Sequence, residues 1–411
     1  MGMEAFGIVD RLLYGEWLGK PGNLVTQAPN LLLIFVSLLL CGSGARRLAG
    51  VRWGASLALA LCLLFFCSAI WSNDPQTTVR EAVLYLFSML GIIGVAISLE
   101  PDELMDLLAR IGFWTAIASL VLLAVKPDAA HSLDGSDMRG IFAQKNVLGQ
   151  NMVVGALASL HGLRVNRVRR IRNLITLVLV TLVAVMSRSA TSCLTIFAFC
   201  VADVMLMLVR RGGVRRVVAI CLITLGGPML ATAAMFPDVL LELIGKDPTL
   251  TGRTDIWAYV LEDIYQKPWL GWGYLAFWSV NNPAAVEMSI KLHWFPPHAH
   301  NGLLEIILYV GPIGATYIVF LWARNLLLSV QCLEIGRIPL AMSGLLACIG
   351  IILIGFSETV LVYPFQSPTA IFFIVGLMCE RAIRAARQRA GRDARASRGQ
   401  PAVGVSSGVS G

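Results

Sequence analysis

The feature that most constrains this chain is a series of apolar runs, each close to 20 residues long and separated by short polar connections. A helix needs roughly 20 such residues to cross about 30 Å of hydrocarbon. Runs of this kind fall near residues 24–42, 51–71, 82–98, 104–125, 146–163, 173–187, 190–209, 214–235, 300–323, 338–357 and 363–381. In lipid every backbone polar group must find its partner within the protein, so the runs are expected to be helices. Only 14% of the residues are charged and 57% are hydrophobic, whereas soluble domains carry about 25% charged residues. In a soluble protein the net charge of +8 would suggest nucleic acid. Here the arginines lie between the runs, where they orient helices, and no nucleic-acid footprint is read.

Short loops rich in Lys and Arg stay in the cytoplasm. The clusters are Arg46, Arg47 and Arg52; Arg164, Arg167, Arg169, Arg170 and Arg172; Arg210, Arg211, Arg215 and Arg216; a weaker pair, Arg324 and Arg337; and the tail arginines from Arg381 to Arg392. With eleven alternating spans, all of them fall on one side. The C-terminus is then cytoplasmic, and loops 72–81, 126–145, 236–299 and 358–362 are external. The nine cysteines avoid these external loops, so no disulfides and no Cys-x-x-Cys metal site are expected. The first twenty residues hold Glu4, Asp10, Arg11, Glu16 and Lys20, unlike a cleavable signal peptide. They read as an amphipathic surface helix around Phe6 to Leu18. The expected organisation is a surface segment (1–23), eight helices (24–235), a long external loop (236–299), three helices (300–381) and a disordered tail (382–411).

One connection is long, and long loops inside compact domains usually carry function. It contains Thr251-Gly252-Arg253-Thr254-Asp255-Ile256-Trp257, where Thr254 or Thr251 can cap a helix running to about Gln266. Arg253 beside the exposed N–H groups of that helix suits a phosphate. Next come Trp269, Trp272, Tyr274, Phe277 and Trp278. These aromatics read either as an interfacial belt or as stacking platforms for sugar rings, and the two uses are compatible. The loop ends in His293, His298 and His300, three of the five histidines. A metal site using His298, His300 and Glu305, and a helix cap from His300 or Asn301, are both open. General acid or base work suits the imidazoles better, because they titrate near neutral pH. No clustered carboxylate or cysteine supports the metal, so no metal or cofactor is expected.

Other cations face the same side. Arg188, in the turn Ser187-Arg188-Ser189, either snorkels or clamps the second half of a pyrophosphate. Arg139 and Lys145 end the second-longest external loop, with Lys145 and Asn146 at the start of a helix. Together Arg139, Lys145, Arg188 and Arg253 put four basic sites on the side where the positive-inside rule disfavours them. Asp203 is the clearest charge within a span and lies near its cytoplasmic end. A transporter would show midplane ionisable groups and related halves, and neither is present.

The motifs Thr251–Trp257, Pro268-x-x-Gly271-x-Gly273-Tyr274 and His298-x-His300-Asn301-Gly302 resemble the O-antigen ligase and Wzy-type polymerase superfamily. Arg139-Gly140-Ile141-Phe142-Ala143-Gln144-Lys145-Asn146-x-Leu148-Gly149 resembles its ExoQ-like branch, and Ser187-Arg188-Ser189 also matches. The resemblance implies an all-α, GT-C-like integral membrane protein of about eleven to twelve helices in the bacterial inner membrane, with short helices in the long periplasmic loop. It further implies an inverting glycosyltransferase using an undecaprenyl-pyrophosphate-linked glycan donor, without nucleotide sugar or metal. Arg253 and Arg188, with Lys145 and Arg139 as weaker candidates, would hold the pyrophosphate. His300, with His298 as second choice, would act on the acceptor hydroxyl. Trp272, Tyr274 and Trp278 would stack on sugars, and membrane lipid would surround the polyprenyl chain. The acceptor is another repeat unit in a polymerase, lipid A-core in a ligase, or a pilin-like serine. From another class, an exporter or flippase is the alternative.

Overall fold

The computed structural model describes residues 45–132, 137–165, 167–211 and 253–399, with four isolated positions before Ala45. The surface segment 1–23, the run at 24–42, the run at 214–235 and residues 400–411 lie outside the described residues. The other nine apolar runs are helices: α1 (Arg52–Cys67), α2 (Pro75–Ser98), α3 (Pro101–Val125), α4 (Lys145–Val165), α5 (Arg170–Met186), α6 (Ala190–Arg211), α9 (Gly302–Glu334), α10 (Ile338–Ser357) and α11 (Ser367–Gly399). Two further helices, α7 (Arg253–Gln266) and α8 (Pro283–Leu292), lie in the long loop. Among the described residues there is no strand, only an isolated bridge between His131 and Met138. Among the described residues, six helices are long and apolar enough to cross a membrane: α1 with its continuation to Ile70, α2, α3, α6, α9 and α10. The protein is an all-α, multi-pass integral membrane protein.

Local chemistry sets the helix starts. Asp74 accepts from the Thr77 N–H at 3.1 Å, and Pro75 opens α2 seven residues before the apolar run begins. Glu100 and Glu103 form a capping box at α3, behind Pro101. Asn301 accepts from the Leu303 and Leu304 N–H groups and so fixes the start of α9. Small residues allow close crossings: a methyl on Gly112 of α3 would lie 2.9 Å from the Gly155 Cα of α4.

The tail departs from expectation. α11 runs on through the arginine-rich segment to Gly399, where disorder was expected from 382. Ala and Arg are strong helix formers, and no proline interrupts them. This segment is also tied down. Arg381 donates to the carbonyls of Ala96 and Leu99 at the end of α2, and Arg384 donates to Ala49. Glu380 accepts from the Trp53 and Gly54 N–H groups, capping α1 from across the bundle.

α9 is broken at Val310–Gly311, just before Pro312. Proline has no N–H for the Leu308 carbonyl four residues earlier. That carbonyl instead accepts from the Trp272 N–H at 2.8 Å, and Tyr309 O accepts from Gly273 N at 2.9 Å. Gly311 has φ +68°, and a Cβ there would lie 2.6 Å from the Trp269 carbonyl carbon, so the close approach requires glycine. The long loop is thereby stitched onto the kink.

Candidate functional site

At the same end of the bundle lie the starts of α2, α4, α6, α7, α9 and α11 and the end of α10. Helix α10 stops at Ser357 because Glu358 turns extended (φ −143°, ψ 156°). The segment after it is pinned from three directions. Tyr85 donates to Leu361 O (2.7 Å), Tyr274 to Val362 O (2.5 Å), and the Leu361 N–H to Thr369 Oγ1 (2.9 Å). This holds Glu358, 7% exposed, in a fixed place.

Glu358 gathers groups from three elements. Asn146 Nδ2 at the start of α4 donates to its Oε1 at 2.7 Å. The Arg253 guanidinium, from the first residue of α7, donates to the same oxygen at 3.0 Å and to Ser357 O at 2.7 Å. His300 Nδ1 lies 3.7 Å from Oε2. The Ser357 hydroxyl also bonds Thr191, at the start of α6, three residues after Arg188. Burial opposes ionisation of Glu358, but the His300 imidazole and the Arg253 charge outweigh it and hold the carboxyl below its ordinary range.

The histidine strip is set from below. Glu305, one turn into α9 and wholly buried, accepts from the Ala299 N–H at 2.6 Å. It also accepts from Trp278 Nε1 (2.8 Å), from the Tyr309 hydroxyl and, more distantly, from Tyr363 (3.5 Å). Trp257 Nε1 donates to Ala299 O at 2.9 Å. With Ala299 clamped from both sides, His298 and His300 project together, their rings 3.9 Å apart. His300 takes a left-handed backbone (φ 51°), a conformation uncommon outside glycine and frequent at functional sites.

The two imidazoles differ. His298 Nδ1 accepts from the His300 N–H at 3.1 Å and meets Thr359 Oγ1 at 3.3 Å. A nitrogen that accepts from a backbone N–H is unprotonated, which puts the proton on Nε2. Burial, followed by His300, pushes the His298 pKa down to about 3, with Arg253 adding and Glu358 opposing. His298 is therefore neutral at physiological pH and a donor through Nε2. His300 Nδ1 is buried, without a hydrogen-bond partner, and faces the Glu358 carboxylate. A proton on Nδ1 leaves Nε2 of His300 as a free acceptor.

A cavity of about 510 Å³ opens beside this cluster. Asn146, Gln150, Trp278, His298, Glu358 and Tyr363 line it, together with Arg80 and Glu81 of α2.

The residues singled out by sequence are distributed unevenly. Arg253, His298 and His300 converge on Glu358. Arg188 is exposed in its turn, with φ 54°. Arg139 is buried and folds back to donate to Ala129 O at 3.1 Å, and Lys145 pairs with Asp137 at 2.6 Å. Both are engaged within the loop that carries them. Two of the three expected sugar platforms are corrected. Trp272 is 6% exposed, with Lys267 Nζ 4.2 Å from its ring centre and its Nε1 donating to Asp263 O. Tyr274 is wholly buried and stacks on Phe65 at 4.1 Å. Neither ring has a face free for a sugar. Trp278 does line the cavity. Thr251 lies outside the described residues.

Glu358 carried no motif and was not singled out. The signal for it was a lone carboxylate closing an apolar run, next to a five-residue external loop. Glu305 reads from sequence only as a metal ligand, but in the fold it is consumed by the anchoring bonds beneath the histidines. The donor atoms of His298, His300 and Glu358 lie within 4.8 Å of one another, close enough to share a metal ion. Arg253 already places a fixed positive charge on that carboxylate, which disfavours a divalent cation there.

Residues 175–321 match the O-antigen ligase family, a stretch from α5 into α9 that includes Arg188, Arg253, His298 and His300. The chain is 27% identical over 279 residues to the exopolysaccharide production protein ExoQ of Rhizobium meliloti (strain 1021), covering 65% of this chain and 62% of ExoQ. It is 34% identical over 104 residues to a candidate polysaccharide ligase of Rickettsia felis (strain ATCC VR-1525 / URRWXCal2), covering 24% of this chain and 26% of that protein. The chain thus spans less than two thirds of the length of these relatives.

Proposed function

We propose, from its similarity to the O-antigen ligase family and to ExoQ, that this protein is a metal-independent, inverting glycosyltransferase. It moves a glycan from undecaprenyl pyrophosphate to an acceptor hydroxyl on the periplasmic face of the inner membrane. The observation that carries the reading is the cluster of one arginine, one carboxylate and two imidazoles beside a cavity at one end of an apolar bundle. The arginine-rich ends of α4, α5, α6 and α11 lie at the opposite end, which supports a periplasmic site and a cytoplasmic C-terminus.

In this reading the acceptor O–H gives its proton to His300 Nε2 while its oxygen attacks the anomeric carbon. The bond from that carbon to the pyrophosphate oxygen breaks in line, which inverts the centre. Glu358 orients His300 through Nδ1 and stabilises the imidazolium that forms, as a carboxylate does behind any catalytic histidine. The 3.7 Å separation has to shorten when substrate binds. Arg253, whose fork stays charged and binds phosphate oxygens bidentately, takes the charge of the departing pyrophosphate. Arg188, near the Thr191–Ser357 link, supplies a second cation. His298 adds an Nε2–H donor.

The Lys145-Asn146 motif favours polymerisation of repeat units, in keeping with the 27% identity to an exopolysaccharide production protein; the O-antigen ligase match supports transfer to lipid A-core as the second reading. Purified protein incubated with undecaprenyl-pyrophosphate repeat units, with and without lipid A-core, separates the two. A ladder without added acceptor means a polymerase, and a single shifted band that needs lipid A-core means a ligase. His300→Ala and Arg253→Ala, folded and inserted, should give no product. Near wild-type transfer by either would sink the assignment.

A further inference from the structure

The inner wall of the cavity includes an unusual helix face. α4 packs among α3, α5, α6, α10 and α11, and its middle is lined with small and apolar residues such as Leu148, Gly155, Ala156 and Ala158. Its first two turns nevertheless present three carboxamides to the cavity: Asn146, Gln150 and Asn151. A spacing of four residues puts Asn146 and Gln150 on one face, and the next residue, Asn151, borders the same cavity. A polar atom buried without a partner costs about 1–3 kcal/mol, so an amide atom that the protein leaves unpaired here calls for a ligand.

Their hydrogen bonds indicate which ligand. Asn146 is committed through Nδ2 to Glu358. Asn151, 3% exposed, donates through Nδ2 to Val147 O at 2.9 Å, which fixes the orientation of its amide. Its Oδ1 has no partner. The group left over is an acceptor, and an ionised phosphate, which only accepts, cannot satisfy it. Gln150, 9% exposed, has no hydrogen-bond partner among the described residues and offers both a donor and an acceptor. A ligand that donates and accepts at closely spaced points is a hydroxyl-bearing sugar ring.

We propose that Gln150 and Asn151 form a sugar-binding subsite for the pyranose attached to the donor pyrophosphate. The position follows from Asn146, which shares Glu358 Oε1 with Arg253. The amide face therefore begins where the arginine assigned to the leaving group ends, and the sugar adjoining the breaking bond lies against it. This inference rests on the proposed donor chemistry, and the experiment tells the two apart.

Binding to the full-length protein in nanodiscs is measured for bare undecaprenyl pyrophosphate and for the same lipid carrying one glucose, one galactose or one N-acetylglucosamine. Wild type should bind at least one glycosylated lipid about tenfold more tightly than the bare lipid. Gln150→Leu and Asn151→Leu should each remove most of that preference and leave bare-lipid affinity within twofold, which also shows that the fold is intact. Arg253→Ala should weaken all four lipids. If wild type does not bind the bare lipid, the pyrophosphate reading itself fails. If wild type binds all four lipids alike, or if the leucine variants weaken all four equally, the subsite is overturned and the amides are structural.

Discussion

Glu358→Gln tests the centre of the cluster with little change of shape. Glutamine keeps one oxygen, enough for Asn146 or Arg253, but removes the charge that faces both Arg253 and His300 Nδ1. The pair with Arg253 has to open for a pyrophosphate, so its loss does not count against the rate; what counts is the carboxylate behind His300. A hydrogen bond to a charged group contributes about 1.5–3 kcal/mol and a neutral one about 0.5–1.5 kcal/mol, so the imidazolium loses roughly 1–2 kcal/mol as it forms. That corresponds to roughly fivefold to thirtyfold in kcat/KM. Initial rates of product formation from a lipid-linked donor measure it. The pH profile is a second signature. The Glu358 carboxyl is held below its ordinary value of 4.5. Its stabilising contribution is therefore complete above that value and is lost as pH falls through the folded value. Wild type should lose activity and thermal stability together on that acidic limb, and the gap to the variant should close there. A glutamine variant that keeps more than half of the wild-type rate at pH 7 would refute the role given to Glu358.

Three further outcomes are expected. Arg253→Lys keeps the charge but cannot span Ser357 O and the Glu358 carboxylate together, so transfer should fall at least tenfold with little loss of thermal stability. Glu305→Gln turns an amide N–H toward the Ala299 N–H; unfolding measurements should show a loss of about 1–3 kcal/mol, with kcat falling more than KM changes. Asp263→Asn should stabilise the protein. Burial, with Glu287 and Glu262 nearby, raises the Asp263 pKa from 3.8 to about 6. The folded state then binds a proton that the unfolded state has released, so the penalty is absent below pH 3.8, grows between 3.8 and 6 and is complete above pH 6. Thermal melts at pH 7.5 should show a gain of up to about 3 kcal/mol, and melts at pH 4 almost none.

The helices were legible because the need to satisfy backbone groups in lipid leaves few alternatives, and nine described helices coincide with apolar runs. Arg253, His298 and His300 were legible because cations and imidazoles are conspicuous on a side that rarely carries them. Trp272 and Tyr274 looked equally conspicuous, yet a sequence does not show which way a ring turns. Their burial follows from Pro312, whose missing N–H frees the carbonyl that draws Trp272 in. Arg139 and Lys145 look available until the fold supplies the Ala129 carbonyl and Asp137 as their partners. Glu358 was hidden because a single carboxylate at a helix end has no pattern; its meaning comes from residues 58 to 212 positions away.

The charge balance of the cluster suggests how binding and chemistry are coupled. Without substrate, Arg253 and Glu358 neutralise each other and His298 is neutral. On the proposed donor chemistry, a pyrophosphate draws the guanidinium away from the carboxylate in order to bind it. Glu358 is then left with a negative charge facing Asn146 and His300 Nδ1, and a hydrogen bond to His300 becomes its main compensation. On this reading that bond fixes the orientation of the imidazole, so the histidine is aligned for the acceptor hydroxyl when the donor is bound. One carboxylate then serves two partners in turn, Arg253 at 3.0 Å and His300, whose Nδ1 stands 3.7 Å from it.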